Sequence, residues 1–102
     1  MALRPPQNFS GSPRFETGES VLNVEIMAEQ AASLGRAGKR VETTLAALRR
    51  ASDTERPAAL KAAADAVWGL FIQRELMGQR NQKPLIEHYG IPKEVLARLG
   101  AR

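Results

Sequence analysis

The chain has 102 residues, a formal net charge of +4 and no cysteine. That length suits one domain with a modest core, and the missing thiols exclude a disulfide framework, thiol chemistry and most structural zinc designs. Hydrophobic residues make up 43% but aromatics only 5%. Much of the apolar content is alanine, which favours helices and buries little area. The core must then come from close helix packing around Trp68, Phe71, Ile72, Leu60, Leu45, Leu48 and Ile26.

A charge of +4 keeps a small protein soluble and is milder than that of many nucleic-acid binders. The longest apolar run, Val67–Ile72, falls far short of the ~20 residues that span a bilayer. The N-terminal residues lack the apolar stretch of a signal peptide. The expectation is a cytoplasmic protein with no membrane partner. The charge is unevenly spread. Up to residue 34, Arg4 and Arg14 face Glu16, Glu19, Glu25 and Glu29, so this part is acidic. From 35 to 61, seven cations (Arg36, Lys39, Arg40, Arg49, Arg50, Arg56, Lys61) outweigh Glu42, Asp53 and Glu55.

Residues 1–18 carry Pro5, Pro6, Gly11, Pro13 and Gly18, a composition that breaks helices and strands. They are expected to form an extended, partly mobile arm, with 19–102 as a single helical domain. Helix 1 is predicted from about Ser20 to Ala51, with Thr17 or Ser20 as cap and Glu19 where the helix dipole favours an anion. Its apolar seam runs Met27, Ala31, Leu34, Gly38, Val41, Leu45, Leu48 in alternating steps of four and three. This heptad stripe keeps its phase across Gly35 and Gly38. A turn at the glycines would usually reset that phase, so one continuous helix about 45 Å long is predicted. Ala28, Ala31, Gly35 and Gly38 make a strip of small residues that another helix can approach closely; a kink at Gly35 is the alternative use of that glycine.

Ser52-Asp53-Thr54-Glu55 matches a capping box, and Pro57 falls in the first turn that follows. Helix 2 is predicted from about Thr54 to Gly78 or Gln79. Leu60, Ala63, Ala64, Val67, Leu70 and Phe71 form one face, which Trp68 and Ile72 widen, so residues 67–72 are expected to be the most buried part. Two short helices follow. Pro84 opens Leu85–Tyr89, which Gly90 closes, and Pro92 opens Lys93–Leu99, which Gly100 closes. The predicted fold is all-α: a small helical bundle or hairpin with one long N-terminal helix, a second helix antiparallel to it and two short C-terminal helices.

Candidate chemistry is sparse. His88 is the single imidazole, and no local pattern ties a serine or aspartate to it. Glu25 and Glu29 share a helix face at i, i+4, but no matching Glu-x-x-His completes a carboxylate metal site. Gly35-Arg36-Ala37-Gly38 lacks the strand and the Lys-Ser/Thr ending of a phosphate loop. The expectation is no catalysis, no cofactor and no metal.

Residues Leu85–Leu99 resemble a helix-turn-helix unit: Leu85 and Tyr89 precede Gly90, Ile91 follows it, and Leu96 and Leu99 keep the apolar spacing. That resemblance implies DNA contact through Lys93 and Arg98. Against it, Ile86 stands where the unit has a small residue and Pro92 where its second helix has a polar start. A plain helical cap over helix 2 explains the same pattern. Across nearly its full length the chain is also similar to a family of short bacterial helical proteins of unknown function. The likeness lies in Arg4–Phe9, Glu19–Asn23, Ala64–Trp68 and His88–Pro92, and it implies no activity.

Helix 1 is longer than its neighbour, which leaves part of its seam to be covered. Its first half is acidic and its second half basic, so two antiparallel copies would pair opposite charges with Gly35 and Gly38 near the crossing. The leading expectation is therefore a small interaction or regulatory protein, self-associating as a homodimer through Met27, Ala28, Ala31, Gly35 and Gly38. An unidentified protein partner is a further candidate, and DNA binding through residues 84–99 is the rival reading.

Overall fold

Residues 18–100 are described by the computed structural model. They form α1 (Gly18–Arg50), α2 (Arg56–Leu76), α3 (Lys83–Tyr89) and α4 (Lys93–Ala97), with no strand among them. The expected N-terminal arm lies outside the described residues except for Gly18, which opens α1. As the unbroken phase of its seam predicts, α1 runs through Gly35 and Gly38 without interruption.

The chain divides into two units, residues 1–32 and 33–102. In the first, the described turns 18–32 contain no buried residue. In the second, α1 buries Gly38, Val41, Leu45 and Leu48, the C-terminal half of the predicted seam, residue for residue. These side chains meet Ala63, Ala64, Ala66, Val67, Leu70 and Phe71 of α2 in one core. Three of those six are alanines, so the backbones can approach while Val41, Leu45 and Val67, all fully buried, fill the space between. The two helices run antiparallel. The Gln73 side-chain amide donates to the Ser33 hydroxyl across 40 residues of sequence, with the interhelical corner at Asp53 midway between them.

The corner is closed by the predicted box. The Ser52 N–H donates to Glu55 Oε1 at 3.0 Å, and the Glu55 N–H donates back to Ser52 Oγ at 3.3 Å. One tight turn follows, with Glu55 and Arg56 N–H groups on the Ser52 carbonyl, so the regular helix begins at Arg56, two residues later than predicted. At the far end, the Gln79 and Gly78 N–H groups return to the Arg74 and Glu75 carbonyls at 2.8 and 3.0 Å, a glycine-assisted stop that ends α2 at Leu76, slightly short of the predicted Gly78 or Gln79. Arg74 then ties the following loop through the Gln79 and Gln82 side chains at 3.1 and 2.8 Å.

α3 ends on Gly90 in the left-handed conformation (φ 64°, ψ 45°). This turns the chain so that Ile91 and Val95 enter the core beside α2. Residues 83–97 thus pack over α2, an arrangement that both sequence readings of this segment share. Arg56 at the start of α2 pairs with Glu94 of α4. Tyr89 reaches back to α1. A Cβ on Gly38 would lie 2.5 Å from the Tyr89 hydroxyl, so the absence of a side chain at 38 is what admits the phenol.

Three expected core residues are not in the core. Trp68 is 45% exposed, Ile72 36% and Ile26 46%. The cause for α2 is rotation. At about 100° per residue, Ile72 lies half a turn from Ala63 and Leu76 half a turn from Val67. The face that packs on α1 therefore turns residues 68, 72 and 76 outward.

Two stability outcomes follow. Gly38→Ala gains helix propensity but meets the Tyr89 hydroxyl. In a Tyr89→Phe background, where only the ring carbon at 3.7 Å remains, the same change should stabilise by about 1 kcal/mol. In the native background that gain should be absent, and urea unfolding of the four-variant cycle measures the difference. Ser52→Ala should cost roughly 1 kcal/mol at neutral pH. Glu55 is held below the usual carboxylate range by the Ser52 backbone N–H first and the Ser52 side chain second. A lowered folded-state value gives stability that is present above the unfolded-state value and is lost as pH falls through the folded one. The gap between wild type and Ser52→Ala should therefore narrow in acid.

Candidate functional site

The described residues expose eight large apolar side chains, in two segments. Val21, Leu22, Val24, Ile26 and Met27 belong to α1, and Trp68, Ile72 and Leu76 to α2. Met27 is 67% exposed and Leu76 83%. Scattered single apolar residues are ordinary on a surface; groups of this kind mark binding surfaces.

On α1, the expected self-association residues Met27, Ala28, Ala31 and Gly35 are exposed, and a Cβ on Gly35 would meet nothing within 4 Å. Gly38 is different. It is buried, and Tyr89 of the same chain occupies the space above it, so it offers no surface to a second copy. The small-residue strip was legible in the sequence. Which of its two glycines was already occupied was not, because Tyr89 is more than fifty residues away in the chain.

On α2, the exposed side chains recur every four residues, forming a stripe along one side. The Lys61–Asp65 pair (3.0 Å) precedes it, and Gly69 beside it has open space around its Cβ position. The indole of Trp68 lies over Gly100, with ring carbons 3.5–3.7 Å from a Cβ built there. The signal for this stripe was present as the 68, 72, 76 repeat. It was obscured because 67–72 is apolar nearly all round, so hydrophobicity alone does not identify the packed side.

Lys93 and Arg98 are both exposed. α4 has five residues, and its Glu94 is engaged with Arg56. Arg98 lines an open cavity of about 300 Å³ with Asp53, Arg56, Pro57 and Leu60. Counting Glu94, which binds Arg56, the charges around it balance. His88 is exposed and stands edge-on to Tyr89, ring centroids 4.8 Å apart. Among the described residues, no three His, Asp or Glu side chains come together as metal ligands. No helix there is long and apolar enough to cross a membrane.

The model of the family of unknown function DUF6665 matches residues 1–102, and the chain belongs to that family. No curated protein and no solved structure matches it.

Proposed function

We propose that this chain is a small interaction or regulatory protein without catalysis of its own, and that it works in the cytoplasm as a homodimer formed through α1. The supporting observation is the run of five exposed apolar side chains from Val21 to Met27 on a stretch of helix with no buried residue. A helical segment of about fifteen residues gains little from propensity alone in water. Its stability depends on an apolar face finding cover. Val21, Val24, Met27, Ala28, Ala31 and Gly35 lie on one side of the helix and Leu22 and Ile26 on the other; Gly38 shares the first side but is already covered by Tyr89. An unidentified second protein is the competing occupant. Duplex DNA held by Lys93 and Arg98 is the competing partner, which a five-residue helix carrying Glu94 supports less well.

Sedimentation equilibrium should give a dimer in the micromolar range, and Met27→Glu should shift it to monomer. A wild-type monomer at tens of micromolar overturns the reading. The DNA alternative is separated by salt. A phosphate-binding surface loses affinity steeply as salt rises, so binding that shows this slope and vanishes on reversing the charges of Lys93 and Arg98 would favour DNA over self-association.

A further inference from the structure

We propose that the outer face of α1 over residues 36–50 is a track for the phosphate backbone of double-stranded DNA, bound without regard to sequence. This goes beyond self-association and does not rest on it, and it uses neither Lys93 nor Arg98.

The first argument is where the charge sits. Residues 36–50 hold Arg36, Lys39, Arg40, Arg49 and Arg50 against Glu42 alone, a net of +4. That equals the formal net charge of the whole chain, because the other residues carry ten cations and ten anions. The excess also lies on one side. At about 100° per residue, Arg36, Lys39, Arg40 and Arg50 project opposite the buried Gly38, Val41, Leu45 and Leu48, and all four are exposed. Glu42 stands at the flank of that face and reaches Lys39 at 3.9 Å, with both side chains in water. Among the described residues no ion pair engages Arg40 or Arg50. Arginines in the last turn also suit the helix dipole, but its effect fades within that turn. Arg36, Lys39 and Arg40 lie about three turns or more before the end, so the dipole does not account for them.

The second argument is what the face lacks. Thr43 and Ala47 lie between the cations, and the large apolar side chains of this stretch, Val41, Leu45 and Leu48, are in the core. A helix that binds a membrane surface needs an apolar side to seat among the headgroups; here that side is occupied. Single strands are held by stacking their bases on aromatic side chains, and residues 36–50 contain none. The acidic segment of a second copy would gain exposed ion pairs with no large apolar contact, which are worth little. A duplex backbone asks only for cations, and binding is driven by the counterions it releases. Three of the four cations are arginines, whose planar fork matches a pair of phosphate oxygens.

The third argument is spacing. Arg36, Lys39 and Arg40 form one group, and Arg50 lies ten residues beyond Arg40, about 15 Å along the axis. The major groove of B-form DNA is about 12 Å wide, so the two groups can stand over the backbones on either side of it while Thr43 and Ala47 let the helix lie low between them. The major groove of an RNA duplex is deep and narrow and does not match this span.

Fluorescence anisotropy of a short labelled duplex of mixed sequence, titrated with the full chain, tests the surface. Affinity should fall roughly a hundredfold between about 50 and 200 mM salt, the slope of about four phosphate contacts. Replacing Arg36, Lys39, Arg40 and Arg50 together by Gln should weaken binding at low salt at least about tenfold and flatten most of the slope. The charge-keeping set Arg36→Lys, Arg40→Lys and Arg50→Lys should retain the slope. Circular dichroism checks that the variants fold; should the Gln set unfold, Arg40→Gln and Arg50→Gln singly should each lower the slope by about 0.9. Lys93→Glu with Arg98→Glu should bind as wild type. No binding at about 50 mM salt, a Gln set that binds as wild type, or binding lost with Lys93 and Arg98 instead overturns the proposal. So does equal or tighter binding to duplex RNA, to single-stranded DNA or to phosphatidylserine vesicles. Absent DNA binding in a chain that still sediments as a dimer removes this surface and leaves self-association standing.

Discussion

The second unit depends on the short side chains of α2. Ala63, Ala64 and Ala66 bring almost no side-chain volume, so Val41, Leu45 and Leu48 of α1 and Ile91 and Val95 fill the shared core around them, and α4 lies close against α2. A chain with few aromatics can build a dense interior only in this way. Packing density, not the size of individual side chains, excludes the water. The same economy recurs at Gly38, where the missing Cβ lets Tyr89 lay its phenol on α1. The α3–α4 cap is thereby joined to the first helix as well as to the second.

The fold was largely legible because its signals are local and mutually consistent. The steps of four and three through Gly38, Val41, Leu45 and Leu48 mark the buried side of α1 in the sequence itself. The Ser52–Glu55 box placed the corner, and Pro84, Gly90 and Pro92 bracketed the short helices. Legibility ended where a side chain's fate depends on rotation or on a distant neighbour. Trp68 and Ile72 are as apolar as Val67 and Leu70, and only the direction of α1 divides them into outside and inside. Gly38 falls in the apolar seam and Gly35 beside it, but that Tyr89 is what covers Gly38 is set by a residue distant in the chain. The candidate surfaces were thus half visible: the α1 strip from its small residues, the α2 stripe only once its packed side was known.

The second unit fills its interior with aliphatic side chains and Phe71 and ties its loops with Arg74 and Gln82, while large apolar groups remain exposed at 21–27 and 68–76. Such groups are costly to leave in water. Their confinement to two helical segments is the physical basis on which the functional reading stands. The family to which the chain belongs supplies no chemistry that would otherwise account for them.

The Ser52–Glu55 corner also bears on how the molecule folds. Its two reciprocal hydrogen bonds span three residues and need no distant part of the chain to be in place. Once that corner forms, α1 and α2 emerge from it already facing each other, and each further turn brings the next pair of side chains into contact at small additional entropic expense. The hairpin can therefore close like a zip from Leu48 and Leu60 outward to Ser33 and Gln73. That order favours fast, low-barrier folding despite the 40-residue separation of its last contact.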